Sequence, residues 1–175
     1  DGRISRSPHL KTFHDGWRTL RFFLLSSPRW LFYVPGMLMI AAGLVGYALS
    51  LPGIQIRTIR FDAHTLLFSS LALIMGYQSV LFSVFTKIFA ISDHLMPPDP
   101  RLKRLLKAIP LEKSLLIAVL AFVAGLFLLG FAANRWRLQH FGPLDYSSTM
   151  RWVIPGVTLA ALGFQTILSS FFISI

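Results

Sequence analysis

Residues 114–134 read SLLIAVLAFVAGLFLLGFAAN, a run with no Asp, Glu, Lys or Arg, bounded by Lys113 and Arg135. A helix rising about 1.5 Å per residue needs about 20 apolar residues to cross roughly 30 Å of hydrocarbon. In lipid the backbone must satisfy its own N–H and C=O groups, so such a run is helical. Residues 30–51, 63–86 and 152–175 have the same character, and each of the four runs is at least 21 residues long. A single such run is compatible with the buried helix of a soluble protein. Four of them in 175 residues leave no room for a polar shell, and the reading is four transmembrane helices.

Composition agrees. The chain is 54% hydrophobic and only 14% charged, with 16 Phe and no Cys, and its mean hydropathy is +0.63. A soluble domain carries roughly a quarter charged residues, so a soluble enzyme domain, a disordered tail and a disulfide-stapled module are excluded. Thiol catalysis and thiolate metal sites go with them. The net charge of +10 then points to anionic lipid rather than nucleic acid as the partner.

Local signals punctuate the spans. Ser27-Pro28 supplies an N-cap and a first-turn proline for the first, and Leu51-Pro52-Gly53 stops it. Asp62 is placed to cap the second. Pro97-Pro98-Asp99-Pro100 breaks the chain and opens a short helix, and Pro110 ends that helix before the third span. Pro35 and Pro155 lie early in the first and fourth spans, where a kink or a late helix start is expected. Residues 54–61 alternate partly and suggest a short strand, with a partner expected from the other loop on the same side.

Orientation follows from the cations. Arg3, Arg6, Lys11, Arg18, Arg21 and Arg29 precede the first span, and Lys87, Arg101, Lys103, Arg104, Lys107 and Lys113 lie between the second and third. These 12 share one side; Arg57, Arg60, Arg135, Arg137 and Arg151 share the other. The side with the excess is expected to be cytoplasmic, which puts both termini there, in the inner (plasma) membrane. Two amphipathic stretches lie on that side. Leu10, Phe13, Trp17, Leu20 and Leu24 recur at helical spacing between about residues 7 and 25. Leu102, Leu105, Leu106 and Ile109 form a stripe in residues 100–109, opposite Arg101, Arg104 and Lys107. Both are expected to be interfacial helices, with Trp17, Arg18, Arg21, Arg101, Arg104 and Lys107 at the membrane surface. The expected organisation is therefore an all-α membrane protein: a juxtamembrane segment, residues 1–29, followed by a four-helix transmembrane domain, residues 30–175, with two cytoplasmic amphipathic interfacial helices.

Inside the spans, Gln78 and Gln165 are expected to hydrogen-bond between helices. Ala42 with Gly46, Ala121 with Gly125, and Gly156 with Ala160 have close-packing spacing, which serves the bundle and leaves homo-oligomer contact open. Trp30, Trp136 and Trp152 sit at span ends as an aromatic belt requires. The absence of Asp, Glu, Lys and Arg within the runs weighs against ion-coupled transport. Five scattered histidines, His9, His14, His64, His94 and His140, form no metal-ligand spacing, and no Gly-rich phosphate loop or paired carboxylates accompany them. The segment Arg3-Ile4-Ser5-Arg6-Ser7 stands apart: guanidinium forks and hydroxyls before a helix suit a phosphate, and a solvated basic linker is the alternative.

The opening DGRISRSPHLKTFHDGWRTLRFFLLSSPRWLF, with FDAHTLL, FGPLD, RWVIPGVTLAALGFQT and ILSSFF further on, resembles the C-terminal membrane domain of bacterial family 2 glycosyltransferases. These are relatives of polyprenyl-phosphate (dolichol-phosphate) hexose synthases. The resemblance implies a longer parent protein with an upstream catalytic domain of the GT-A type. That domain would bind a nucleotide sugar and a divalent metal through an Asp-rich motif, and would transfer the sugar to a polyprenyl phosphate at the cytoplasmic face. It implies no cofactor and no catalytic or metal-binding residue in this segment. In the resembled family a basic-hydroxyl-basic stretch holds the acceptor phosphate; Arg3, Ser5 and Arg6 match it, with Ser5-Arg6 where Ser-Lys is typical. A small translocator of lipid-linked sugars and a membrane scaffold are the competing readings of the same spans.

Overall fold

A computed structural model describes Gly16, Trp17, Thr19, residues 29–56 and 59–100, Leu102, Arg104 and residues 110–174. A π-helical turn, Arg29–Tyr33, leads into α1, Val34–Ser50. A two-residue β-hairpin follows, β1 (Gln55–Ile56) with β2 (Ile59–Arg60), and then α2, Ala63–Ser92. The remaining long helices are α3, Leu111–Leu138, and α4, Tyr146–Ser174. Each of the four, the first taken together with its π turn as Arg29–Ser50, is long and apolar enough to cross a membrane. The protein is a multi-pass, all-α membrane protein. The two expected interfacial helices, residues 7–25 and 100–109, fall largely outside the described residues.

Helices α2, α3 and α4 outrun the apolar segments that specify them. At 30 residues α2 is about 45 Å long, so its Lys87 end stands beyond a ~30 Å hydrocarbon layer or the helix tilts to fit. Pro35 occupies the first turn of α1, where its missing N–H does no harm; the wider π turn carries the backbone across the carbonyl that Pro35 cannot serve. The Ser27-Pro28 cap lies outside the described residues. Asp62 caps α2 as expected, its Oδ1 accepting from the backbone N–H of Ala63 at 2.8 Å. Pro155 does not delay α4, which begins at Tyr146 and runs through it. The earlier start has a cause: Asp145 Oδ2 accepts from the N–H of Ser148 at 3.0 Å and caps the first turn. The strand in residues 54–61 pairs with itself, Gln55 opposite Arg60 and Ile56 opposite Ile59, and not with the 139–145 loop. A tight hairpin closes at small entropic cost, and the other loop is occupied with ending α3 and capping α4.

Helices α1 and α2 pack antiparallel, as do α3 and α4, while α2 and α4 run parallel and join the two pairs. Small residues make the antiparallel seams. A Cβ on Gly36 would meet the carbonyl oxygen of Gly76 at 2.8 Å, and one on Gly43 would meet that of Ser69 at 2.9 Å. On the other pair, Gly125 faces Gly156 and Ala160, and Gly163 faces Ala118 and Phe122. The expected contacts of Gly46, Gly125, Gly156 and Ala160 are present; Ala42 is instead exposed, because the α1 seam runs through Gly36 and Gly43. The exterior is apolar, with Phe127 73%, Trp30 71% and Phe68 70% exposed. Water would not tolerate so continuous an apolar surface, and acyl chains cover it without cost.

Candidate functional site at the ends and seam of the bundle

Three polar regions are built into this apolar scaffold. The first lies at the end of the bundle that carries Arg29, the α2–α3 connection and the last turn of α4. Helix α2 stops there in a Schellman motif: Leu95 N–H donates to Ala90 O at 2.8 Å and His94 N–H to Ile91 O at 3.2 Å. His94 takes the left-handed position with φ 55°, which Gly or Asn fills more readily. The chain then folds back, and Lys87 forms an ion pair with Asp99. Between the last turns of α2 and the returning chain lies a groove of about 470 Å³ lined by Ile88, Ile91, Ser92, Pro98, Asp99, Pro100 and Leu102. Ser114 and Ser170 hydroxyls meet at 3.0 Å and tie the start of α3 to the end of α4.

Two of the residues expected at the membrane surface, Trp17 and Arg104, are among the described ones. Trp17 is 57% exposed and Arg104 is exposed. Arg18, Arg21, Arg101 and Lys107 lie outside the described residues, as do Arg3, Ser5 and Arg6 of the expected phosphate clamp.

The second region is at the opposite end. Asp62 Oδ1 also accepts from Ser147 Oγ at 3.0 Å and lies 3.9 Å from Arg151 Nη2. The Arg151 guanidinium lies against Gly53, whose φ of +71° and missing side chain allow that approach. This cluster clamps the α1–α2 turn to the start of α4. The Asp145 carboxyl is held below its usual range by the Ser148 backbone N–H, then by the Ser148 hydroxyl. Helix α3 ends here in a second Schellman motif, Phe141 N–H to Trp136 O at 3.1 Å and His140 N–H to Arg137 O at 3.0 Å, with His140 at φ 52°. His94 and His140 are thus helix terminators, a role absent from the sequence reading; each follows the last helical turn of its span, which was the available signal.

The third region is the α2–α4 interface. Thr158 Oγ1 lies 2.5 Å from Tyr47 Oη and 2.6 Å from Ser70 Oγ, joining three helices. One layer along, Tyr77 Oη and Thr166 Oγ1 meet at 2.7 Å. The α4 hydroxyls are also bonded to their own helix, Thr158 to Ile154 O at 2.8 Å and Thr166 to Leu162 O at 2.6 Å. The two glutamines do not take part as expected. Gln78 is exposed on the outside of α2, and Gln165 Oε1 is buried without a partner among the described residues. Short hydroxyls reach across a close seam with less crowding than amides do, so serine, threonine and tyrosine hold these helices together.

The family profile described as the glycosyltransferase family 2 C-terminal transmembrane region matches residues 84–175. The chain belongs to that family. The matched region begins within α2 and takes in the α2–α3 connection with its Lys87–Asp99 pair, both helices of the α3–α4 pair and the Thr158 and Thr166 layers. This family 2 transmembrane region is also similar to the low-salt glycan biosynthesis hexosyltransferase Agl6 of Haloferax volcanii. The two are 27% identical over 164 residues, which are 93% of this chain and 38% of the relative. The chain therefore spans well under half the length of that relative. No solved structure shows significant similarity. The expectation of a membrane part of a family 2 glycosyltransferase holds.

Proposed function

We propose that this transmembrane region anchors a family 2 catalytic domain, carried upstream in the parent protein, and presents a polyprenyl phosphate acceptor to it. The observation that carries the reading is the family match over residues 84–175, joined to the likeness over most of the chain to a hexosyltransferase. The catalytic domain would supply nucleotide-sugar and divalent-metal binding; nothing in the described residues is asked to do so.

The acceptor's hydrocarbon dissolves in the bilayer, and its phosphate emerges at the cytoplasmic surface. The excess of Lys and Arg supports a cytoplasmic position for the end of the bundle with Arg29, Lys87 and the apolar groove. Arg3, Ser5 and Arg6 would hold the phosphate by charge-assisted hydrogen bonds. Trp17, Arg18, Arg21, Arg101, Arg104 and Lys107 would keep the two interfacial segments against anionic head groups. Confining enzyme and acceptor to one surface replaces a three-dimensional search by a fixed geometry.

The test is steady-state transfer by the full-length parent in vesicles. Arg3→Ala with Arg6→Ala raises the apparent KM for polyprenyl phosphate or lowers turnover, with insertion into the membrane intact. Unchanged transfer kinetics would refute the clamp.

A further inference from the structure

The outer face of α2 carries a regular stripe: Phe68, Leu71, Met75, Gln78 and Phe82, spaced 3, 4, 3 and 4 residues apart. The four apolar members are 70%, 51%, 49% and 49% exposed, and Gln78 is exposed with them. This is the heptad spacing by which one helix seats on another. The Phe32 ring, from the turn before α1, packs edge-on against Phe82 at the far end of the stripe, centroids 4.7 Å apart. Over Phe68, Leu71, Met75 and Gln78 the stripe faces away from α1 and α4, which occupy the opposite side of α2 through Ser69, Ser70, Gly76 and Tyr77.

Gln78 makes the stripe more than an apolar surface. It stands at the middle of the 30-residue helix, at the depth where lipid offers no donor or acceptor. Its amide has no hydrogen-bond partner among the described residues. An amide left unpaired in hydrocarbon is costly, and one paired across helices contributes to association. The carboxamide is both donor and acceptor, so an identical side chain satisfies it reciprocally. Copies of a membrane protein share one orientation. A two-fold axis along the membrane normal therefore sets α2 beside α2 in parallel, with each Gln78 at the depth of its counterpart. A different partner would need its own amide or hydroxyl at that depth; a second copy supplies it by symmetry.

We infer that the chain forms a homodimer through the Phe68–Gln78 face of α2, with the two Gln78 amides hydrogen-bonded at the bilayer centre.

The chain has no cysteine, so single-cysteine variants give a direct readout. In the full 175-residue chain reconstituted in phosphatidylcholine vesicles, Leu71→Cys and Met75→Cys form disulfide dimers on mild oxidation. Phe127→Cys, on the exposed face of α3, stays monomeric. In parallel, subunit counting by single-molecule photobleaching finds two copies per particle. Gln78→Leu, which keeps the apolar stripe, raises the dimer dissociation constant about tenfold, and Gln78→Asn restores most of the affinity. A monomeric chain at all protein-to-lipid ratios overturns the inference. So does cross-linking at Phe127→Cys as strong as at Met75→Cys, or a Gln78→Leu variant with unchanged association.

Discussion

Gly125 and Gly130 lie five residues apart on α3, and the same substitution at the two positions should act in opposite directions. A Cβ added to Gly125 would sit 2.7 Å from the carbonyl oxygen of Gly156 and 2.9 Å from the Cα of Ala160. Carbon atoms prefer separations of about 3.5–4.0 Å. The obstructing atoms are backbone, so no side-chain rotation relieves the clash, and α3 and α4 must part by roughly 0.5–1 Å. Overpacking of that kind costs about 1–3 kcal/mol. A Cβ added to Gly130 meets nothing within 4 Å. Both variants gain the same helix propensity, about 1 kcal/mol for Gly→Ala, so the difference between them isolates the seam. Reversible unfolding in mixed micelles, titrated with a denaturing detergent, should place Gly125→Ala about 1–3 kcal/mol below Gly130→Ala. Equal shifts for the two variants would refute the close α3–α4 approach.

Further outcomes follow from the polar contacts. Thr158→Val removes the hydroxyl shared by Tyr47 and Ser70 and lowers stability by about 1 kcal/mol; adding Tyr47→Phe then costs less than it does alone, measured as a double-mutant cycle. His94→Gly and His140→Gly relieve left-handed backbone and each raise stability by about 1 kcal/mol in the same titration. The lowered Asp145 carboxyl stabilises the fold fully above its unfolded-state value, and that contribution is lost as pH falls through the lowered folded value. The stability advantage of the native chain over Asp145→Asn, followed by thermal unfolding, should therefore be present at neutral pH and vanish in acid.

The four spans were legible because hydrocarbon imposes a length and a composition that few other environments require. Asp62 as a cap and Gly53 in a turn were legible for a similar reason: each answers to local geometry. Legibility ended where tertiary contacts decide. The glycine seam of α1 runs through Gly36 and Gly43 rather than Ala42, because the crossing of α1 on α2 selects the face, and spacing alone does not reveal a crossing. Pro155 suggested a kink or a late helix start; the late start does not occur, because Asp145 caps α4 from a position outside the apolar run. The glutamines were the evident polar residues of the spans, but Tyr47, Tyr77 and the α4 threonines make the cross-links. Arg3, Ser5 and Arg6 come from resemblance and local chemistry, and lie outside the described residues.

The contrast between the two kinds of seam bears on how the protein is made and how it moves. Each glycine-lined pair is a helical hairpin with backbone pressed on backbone, a unit able to enter the bilayer as one insertion event. The junction between hairpins rests on exchangeable hydroxyls, Thr158 already serving two neighbours at once. Assembly should then proceed as two rigid forks inserted in succession and docked afterwards, and any later sliding within the bilayer should occur along the line where those forks meet.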